Sequence, residues 1–382
     1  MSIITTTEAL SAFCASLRGA AYVTVDTEFM RERTFYSKLC LVQLGGPDRA
    51  VAVDPLAEDI DLQPLFDLMA NPAILKVFHA ARQDIEIFVN LTDRVPTPMF
   101  DTQVAGMVCG FGESVGYEAL VSALTDAKVD KSSRFTDWAR RPLTERQVEY
   151  ALGDVTHLRT VYEKLSKKLM ETGRGAWVAE EMAVLTDVKT YQIDPYDIWK
   201  RLKLRSSKPK SRAILREIAA WREVEAIRLN LPRAHVVKDE ALIEIASHAP
   251  ATIQELGHIR SLSKGFVEGH GGAALLQAIA RGAALPPSDC PPAEAKHHLP
   301  NGAGAVLDLL KVLLKQVSDE HGVAAKLIAS SDDLERLACE DEPDIRLLHG
   351  WRGELFGETA LALKSGQLAL SVHQNKIVTT KK

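Results

Sequence analysis

The chain is short of cysteine and has no long apolar run. Its five cysteines, Cys14, Cys40, Cys109, Cys290 and Cys339, are odd in number and widely spaced, with no C-x-x-C pair. That excludes a disulfide framework and a zinc ribbon and points to reduced thiols. No basic segment followed by an apolar core opens the sequence, so no secretory leader is read. No apolar stretch approaches the roughly 20 residues of a membrane span. A soluble, cytoplasmic protein without a membrane partner is expected. An excess of one charge is also missing: 46 Lys and Arg stand against 51 Asp and Glu, a net −5 that by itself does not suggest a nucleic-acid binder. Histidine ligand pairs are absent too, since neither H-x-x-x-H nor a His-Asp dipeptide occurs. At 382 residues and 46% hydrophobic composition, the chain can bury a full-sized core and holds two or three domains.

What is present is a set of acids in unusual places. The run Ala21 to Phe29 is apolar and β-branched with no Gly or Pro, which predicts a buried strand. Residues two apart on a strand share a face, so Asp26 and Glu28 project side by side. Two carboxylates held that close repel unless a cation or a proton lies between them. Asp84 extends the apolar stripe of Ile85, Phe88 and Val89 by one position, placing an acid on the core side of a helix. Thr144 and Gln147 have capping-box spacing, and Val148, Leu152, Val155, Leu158 and Val161 follow at helical spacing. On that helix Tyr150 and Asp154 are i and i+4 and share a face. Converging Asp and Glu oxygens suit Mg²⁺ or Mn²⁺ better than Zn²⁺. Two such ions about 4 Å apart clamp the attacking and leaving oxygens of a phosphoryl displacement. Each acid alone is weak evidence; the conjunction carries the reading.

The order Asp26-x-Glu28, Asp84, Tyr150-x3-Asp154 resembles the signature of 3′→5′ exonucleases with four acidic ligands, in the subclass whose third motif carries Tyr. Closer matches are Val25 to Phe29, Leu41 to Leu44, His79 to Asp84, Phe100 to Gln103, and the run from Asp130 through Trp138 and Arg141-Pro142-Leu143-Thr144 to Tyr150. These resemble the ribonuclease D family over roughly residues 1 to 285. The resemblance implies an α/β ribonuclease H-like exonuclease domain, a mixed sheet with flanking helices, followed by two small all-α HRDC-type bundles. It implies Asp26, Glu28, Asp84 and Asp154 as ligands of two divalent cations. Tyr150 would hold the attacking water, acting as positioner first and base second, because an unperturbed phenol titrates near 10. The implied activity is metal-dependent 3′→5′ exoribonuclease action on RNA 3′ ends, chiefly tRNA precursors, releasing 5′-monophosphates without a small-molecule cofactor. Thr27, Phe29 and Tyr36 near the first motif are expected RNA contacts, with Phe29 and Tyr36 as stacking platforms. Lys131, Arg134 and Arg141 before the third motif are expected to meet phosphates. His79 and His157 read as structural, and Glu32, Glu86 and Glu149 as surface charges.

Strands are expected at 21–29, 38–45, 50–54 and 74–78, and helices near 61–70, 81–91, 101–109, 116–127 and 144–171. With what the resemblance implies, the expected domains are 1–171 for catalysis, 172–209 as a helical and basic linker, 210–285 as a first HRDC unit, 286–373 as a degenerate second one, and 374–382 as a frayed polar tail. Between Arg201 and Arg233 ten basic residues face three acidic ones, a band that suits a polyanion beside an acidic metal site and doubles as a solvated linker. A monomer is expected. Two alternatives stay open: a DNA-directed exonuclease of the same chemistry, and a non-catalytic RNA-binding module.

Overall fold

The computed structural model describes residues 3–130, 132–204, 206, 208–292 and 300–382. Six strands form one mixed sheet: β1 (Ile3–Ile4), β2 (Tyr22–Met30), β3 (Lys38–Gly45), β4 (Ala50–Val53), β5 (Leu75–Phe78) and β6 (Met99–Asp101), in the order β1-β4-β3-β2-β5-β6. The central pair β2 and β3 is antiparallel, and β5 and β6 add on parallel to β2. Seven of the eight residues of β3 are buried, so both faces of the sheet are covered. The four longer strands fall where the sequence pattern puts them. The two- and three-residue strands β1 and β6 carry too little pattern to be read.

Helices α1 (Thr7–Ser16), α2 (Gln63–Ala70), α3 (Arg82–Thr92), α4 (Thr102–Val108), α5 (Tyr117–Leu124) and α6 (Glu145–Thr172) flank the sheet. The last begins at the capping box of Thr144 and Gln147 and ends at Gly173 in the left-handed region. It lays Val155, Leu158, Val161, Leu165 and Leu169 into the core. Its close approach depends on Gly45, where a Cβ would come within 2.2 Å of Thr24 Oγ1 and 3.0 Å of the Val155 carbonyl. The Thr24 hydroxyl donates to that carbonyl at 2.7 Å, tying β2 to α6.

The stretch expected as a linker, 172–209, is divided between two cores. Helix α7 (Gly175–Thr186) buries Val178 and Met182, one turn apart, in the catalytic core, whereas the turn Pro195–Arg201 sends Ile198 into the next unit. That unit is built on α8 (Pro209–Leu229) with the helices Asp239–His248 and His270–Ala284, around Leu215, Ile218, Leu242, Ile245 and Leu275. The last unit packs the helices Ala303–His321, Ser331–Cys339 and Glu358–Lys364 around Leu310, Leu313, Leu337 and Phe356.

Two expectations for this last unit need correction. It is not all-α, and residues 374–382 are not frayed: the chain ends in an antiparallel ribbon of β7 (Leu368–His373) and β8 (Lys376–Lys381). Gln374 and Asn375 both have positive φ, 48° and 60°, the geometry of a two-residue hairpin turn. Leu368 and Leu370, alternate residues of one strand, pack on the unit's core. The unit is fastened to α7. Trp177 and Trp351 stack with ring centroids 4.5 Å apart and planes 11° from parallel. Arg352, 2% exposed, pairs with Glu180 and Glu181. Among the described residues no helix is long and apolar enough to cross a membrane.

Candidate active site

Asp26 and Glu28 lie on β2, whose alternation turns both toward an open cleft of about 1330 Å³ that Asp84, Tyr150 and Asp154 also line. Carboxylate oxygens of Asp26, Glu28 and Asp154 come within 4.8 Å of one another. Asp84 stands outside that trio and is 7% exposed, its Oδ1 taking the Thr27 hydroxyl. Asp26 is the central member, because its charge acts on Glu28, Asp84, Asp154 and Tyr150 alike. The Tyr150 hydroxyl is hydrogen-bonded to the Asp154 carboxylate one helical turn away.

The electrostatics follow from this crowding. Burial raises Asp26 to about 6, against a backbone N–H bond that lowers it. Glu28 is pushed up to about 10 by burial and then by Asp26, Asp154 and Asp84, with Arg134 opposing. Asp154 rises to about 8 through burial and the Asp26 charge. Asp84 is held well above the carboxylate range for the same two reasons. Tyr150 is driven well above its ordinary value by burial and the surrounding carboxylates. Hard divalent cations fit such a set: oxygen donors only, an unrelieved excess of negative charge, and space beside it.

Loop and helix contacts hold the acids in register. Asp101 accepts backbone N–H bonds from Ala80 at 3.0 Å, Ala81 at 2.9 Å and Gln103 at 2.8 Å, pinning the turn that leads into α3 and Asp84. The Tyr117 hydroxyl bonds to the carbonyls of Gly153 at 3.2 Å and Asp154 at 2.5 Å, fixing the turn of α6 that presents Asp154. No sequence signal marks Tyr117, because its partners are main-chain oxygens of a distant helix. His79 lines the cleft, with Nδ1 3.0 Å from Thr102 Oγ1 and the ring also meeting the Val115 backbone. Burial lowers its pKa, and among the described residues it joins no metal cluster.

The expected RNA contacts fare differently. Phe29 and Arg134 line the cleft, and Tyr36 is 39% exposed beside it in sequence. Thr27 also lines the cleft, but it is 5% exposed and its hydroxyl is spent on Asp84, which makes that hydroxyl a support for an acid. Arg141 is likewise committed. Its guanidinium grips Asp54 through two nitrogens at 2.6 and 2.7 Å and donates to the carbonyls of Trp138, Arg140 and Cys40. All five of its N–H donors are thereby used, and none remains for a phosphate. Lys131 lies outside the described residues. Two members of the basic band are internal, whereas Arg201, Lys203, Lys208, Lys210 and Arg228 are exposed. Arg222, 2% exposed, bonds the Val237 carbonyl and Asp239, Arg212 bonds the Pro291 carbonyl, and Arg233 and Arg228 pair with Glu223 and Glu225. Arg205 lies outside the described residues.

Residues 1–170 match the 3'-5' exonuclease family, and residues 211–279 match the HRDC domain. The protein named ribonuclease D in Nitrobacter hamburgensis is 54% identical over 378 residues, 99% of either chain. That of Granulibacter bethesdensis is 52% identical over 382 residues, 99% of this chain and 97% of its own. Among solved structures, Escherichia coli RNase D, an exoribonuclease involved in structured RNA processing, aligns with a TM-score of 0.82 at 31% identity, covering 96% of this chain and 98% of its own. Likeness of this extent, running unbroken from the acid-bearing sheet through the helical units, establishes that the chain belongs to the ribonuclease D family.

Proposed function

We propose that this 3′→5′ exoribonuclease holds two divalent cations, Mg²⁺ or Mn²⁺, on Asp26, Glu28, Asp84 and Asp154. It removes nucleotides singly from RNA 3′ ends as 5′-monophosphates, tRNA precursors among its substrates, and acts as a cytoplasmic monomer. The observation that carries the metal reading is the meeting of Asp26, Glu28 and Asp154 oxygens within 4.8 Å, supplied by two remote segments of chain. Bound cations would supply Lewis acidity at the scissile phosphate and lower the pKa of water.

The chain's own groups supply alignment. With its pKa raised, Tyr150 keeps its proton at neutral pH and donates it to Asp154. Its oxygen lone pairs are left to accept a hydrogen bond from the attacking water, which fixes that water's direction without removing its proton. Thr27 orients Asp84 through its hydroxyl, and Tyr117 orients Asp154 through the main chain. Arg134, whose charge already reaches Glu28 and Asp154, is placed to meet a phosphate entering the cleft, where Phe29 offers a face to a terminal base. Selection of RNA over DNA is expected to rest on the 2′-hydroxyl.

Matched RNA and DNA oligonucleotides incubated with Mg²⁺, Mn²⁺ or EDTA test the reading. Single-nucleotide shortening of RNA from its 3′ end, abolished by EDTA, is the expected result. Equal attack on DNA would favour the DNA-directed alternative, and shortening that persists in EDTA would remove the metal scheme.

A further inference from the structure

Helix α8 ends at Asn230, which sits in the left-handed region with φ 49°. As a helix terminator it could be replaced by glycine, but its side chain performs a second task on another unit. Asn230 Oδ1 accepts the consecutive backbone N–H groups of Phe35 and Tyr36, at 3.1 and 3.3 Å. Arg233, three residues on, lies over the Phe35 ring at 4.7 Å. Its guanidinium is held by Glu223, 2% exposed, through two nitrogens. The segment so gripped, 31–37, joins β2 to β3 after Met30, two residues beyond the register shift between Glu28 and Phe29 that re-aims the strand. Arg31, Glu32, Arg33 and Thr34 of this segment line the same cleft as the acids.

We propose that Asn230 and Arg233 of the first HRDC unit are positioning residues for the substrate strand: they set the cleft-rim segment 31–37 in its RNA-receiving conformation. This rests on the exoribonuclease reading for the identity of the strand. The rim carries Arg33, Arg31, which also pairs with Glu86 at 3.2 Å, and the aromatic pair Phe35 and Tyr36, whose rings meet edge to face at 5.0 Å. Such cations and aromatics are the groups that phosphates and unstacked bases use. Within the loop the Thr34 hydroxyl donates to the Tyr36 carbonyl and Arg31 reaches Glu86, and the two hydrogen bonds to Asn230 tie its Phe35–Tyr36 end to the HRDC unit. Losing them makes the rim pay an ordering cost at each encounter with RNA, which weakens binding and leaves the acids, held by β2, α3 and α6, in place.

The test uses the full-length protein with N230G, which keeps the left-handed turn and removes the acceptor, and N230D, which keeps an acceptor oxygen. Two hydrogen bonds of ordinary net strength correspond to a change on the order of tenfold. N230G should raise KM for a single-stranded RNA oligonucleotide about tenfold with kcat within about twofold of wild type, and N230D should restore KM. Independently of any RNA, tryptic cleavage after Arg33 should speed up by a similar factor in N230G and not in N230D. Unchanged KM and proteolysis in N230G would overturn the proposal, as would a parallel loss of kcat and Tm or a failure of N230D to rescue. If wild-type protein spared RNA while the proteolysis pattern held, the substrate reading would fail and the latch would stand.

Discussion

Arg141 offers a sharp test of structure against pattern. The sequence places it among cations before the third motif, where a phosphate contact is expected. The fold closes all five of its donors on Asp54 and three carbonyls. The Arg141 side chain is 26% exposed and that of Asp54 only 8%. In Arg141→Met, Asp54 would stay buried with one remaining donor, the Leu56 N–H at 2.9 Å, and three carbonyls would lose their partner. Breaking a buried pair from one side costs about 3 to 5 kcal/mol. At about 2 to 4 °C per kcal/mol for a domain of this size, Tm should fall by roughly 6 to 20 °C. Arg141→Met/Asp54→Leu should recover much of that loss, because no charge is then stranded. Thermal unfolding reads the stability, and RNA affinity against salt reads the alternative. One phosphate contact to a single strand contributes about 0.7 to the slope of log K against log salt. A Tm within about 2 °C of wild type together with a slope reduced by about 0.7 would refute the structural assignment.

Tyr150→Phe should lower kcat about 10²-fold, the range of a lost positioning or base contact, with RNA binding and Mg²⁺ affinity by calorimetry held; near-wild-type turnover would remove Tyr150 from the reaction. Asp154→Asn should cut turnover by about three orders of magnitude even at saturating Mg²⁺, and a variant keeping most of its rate would exclude shared ligation. Asp26, Asp154 and Glu28 are raised to about 6, 8 and 10, so their protonated forms are the ones the metal-free fold tolerates. Stability in EDTA should be complete below the ordinary carboxylate range, about 4, and decline from there to about 10, most steeply up to about 6 where all three acids contribute. Saturating Mg²⁺ should remove most of that decline in Tm, and a metal-free Tm that rises with pH across this window would contradict the clustering.

What was legible in the sequence was periodicity. A two-residue alternation put Asp26 and Glu28 on one face, a four-residue interval joined Tyr150 to Asp154, and an apolar stripe betrayed the buried side of Asp84. The capping box marked the start of α6 to the residue. What escaped were relations between segments far apart in the chain. Arg141 looked like a ligand for RNA because its partner, Asp54, lies 87 residues away, and a separation of 57 residues hid the bond from Thr27 to Asp84. The basic band looked uniformly free because charge counting does not see that Arg222 is buried against Asp239 and Arg212 against the Pro291 carbonyl. The terminal ribbon was missed because its turn, Gln374-Asn375, lacks the Asn-Gly or Asp-Gly signal of a two-residue hairpin.

The face-to-face tryptophans between α7 and the last unit carry a consequence for anyone handling this protein. Of its five tryptophans, two are in π contact across a seam, each with a guanidinium overhead, Arg174 at 5.0 Å and Arg352 at 4.2 Å. Detachment of the C-terminal unit would therefore break a chromophore pair even with both cores intact. Near-ultraviolet circular dichroism and intrinsic emission become label-free gauges of whether the trailing module is seated, readable during titration with salt, denaturant or RNA.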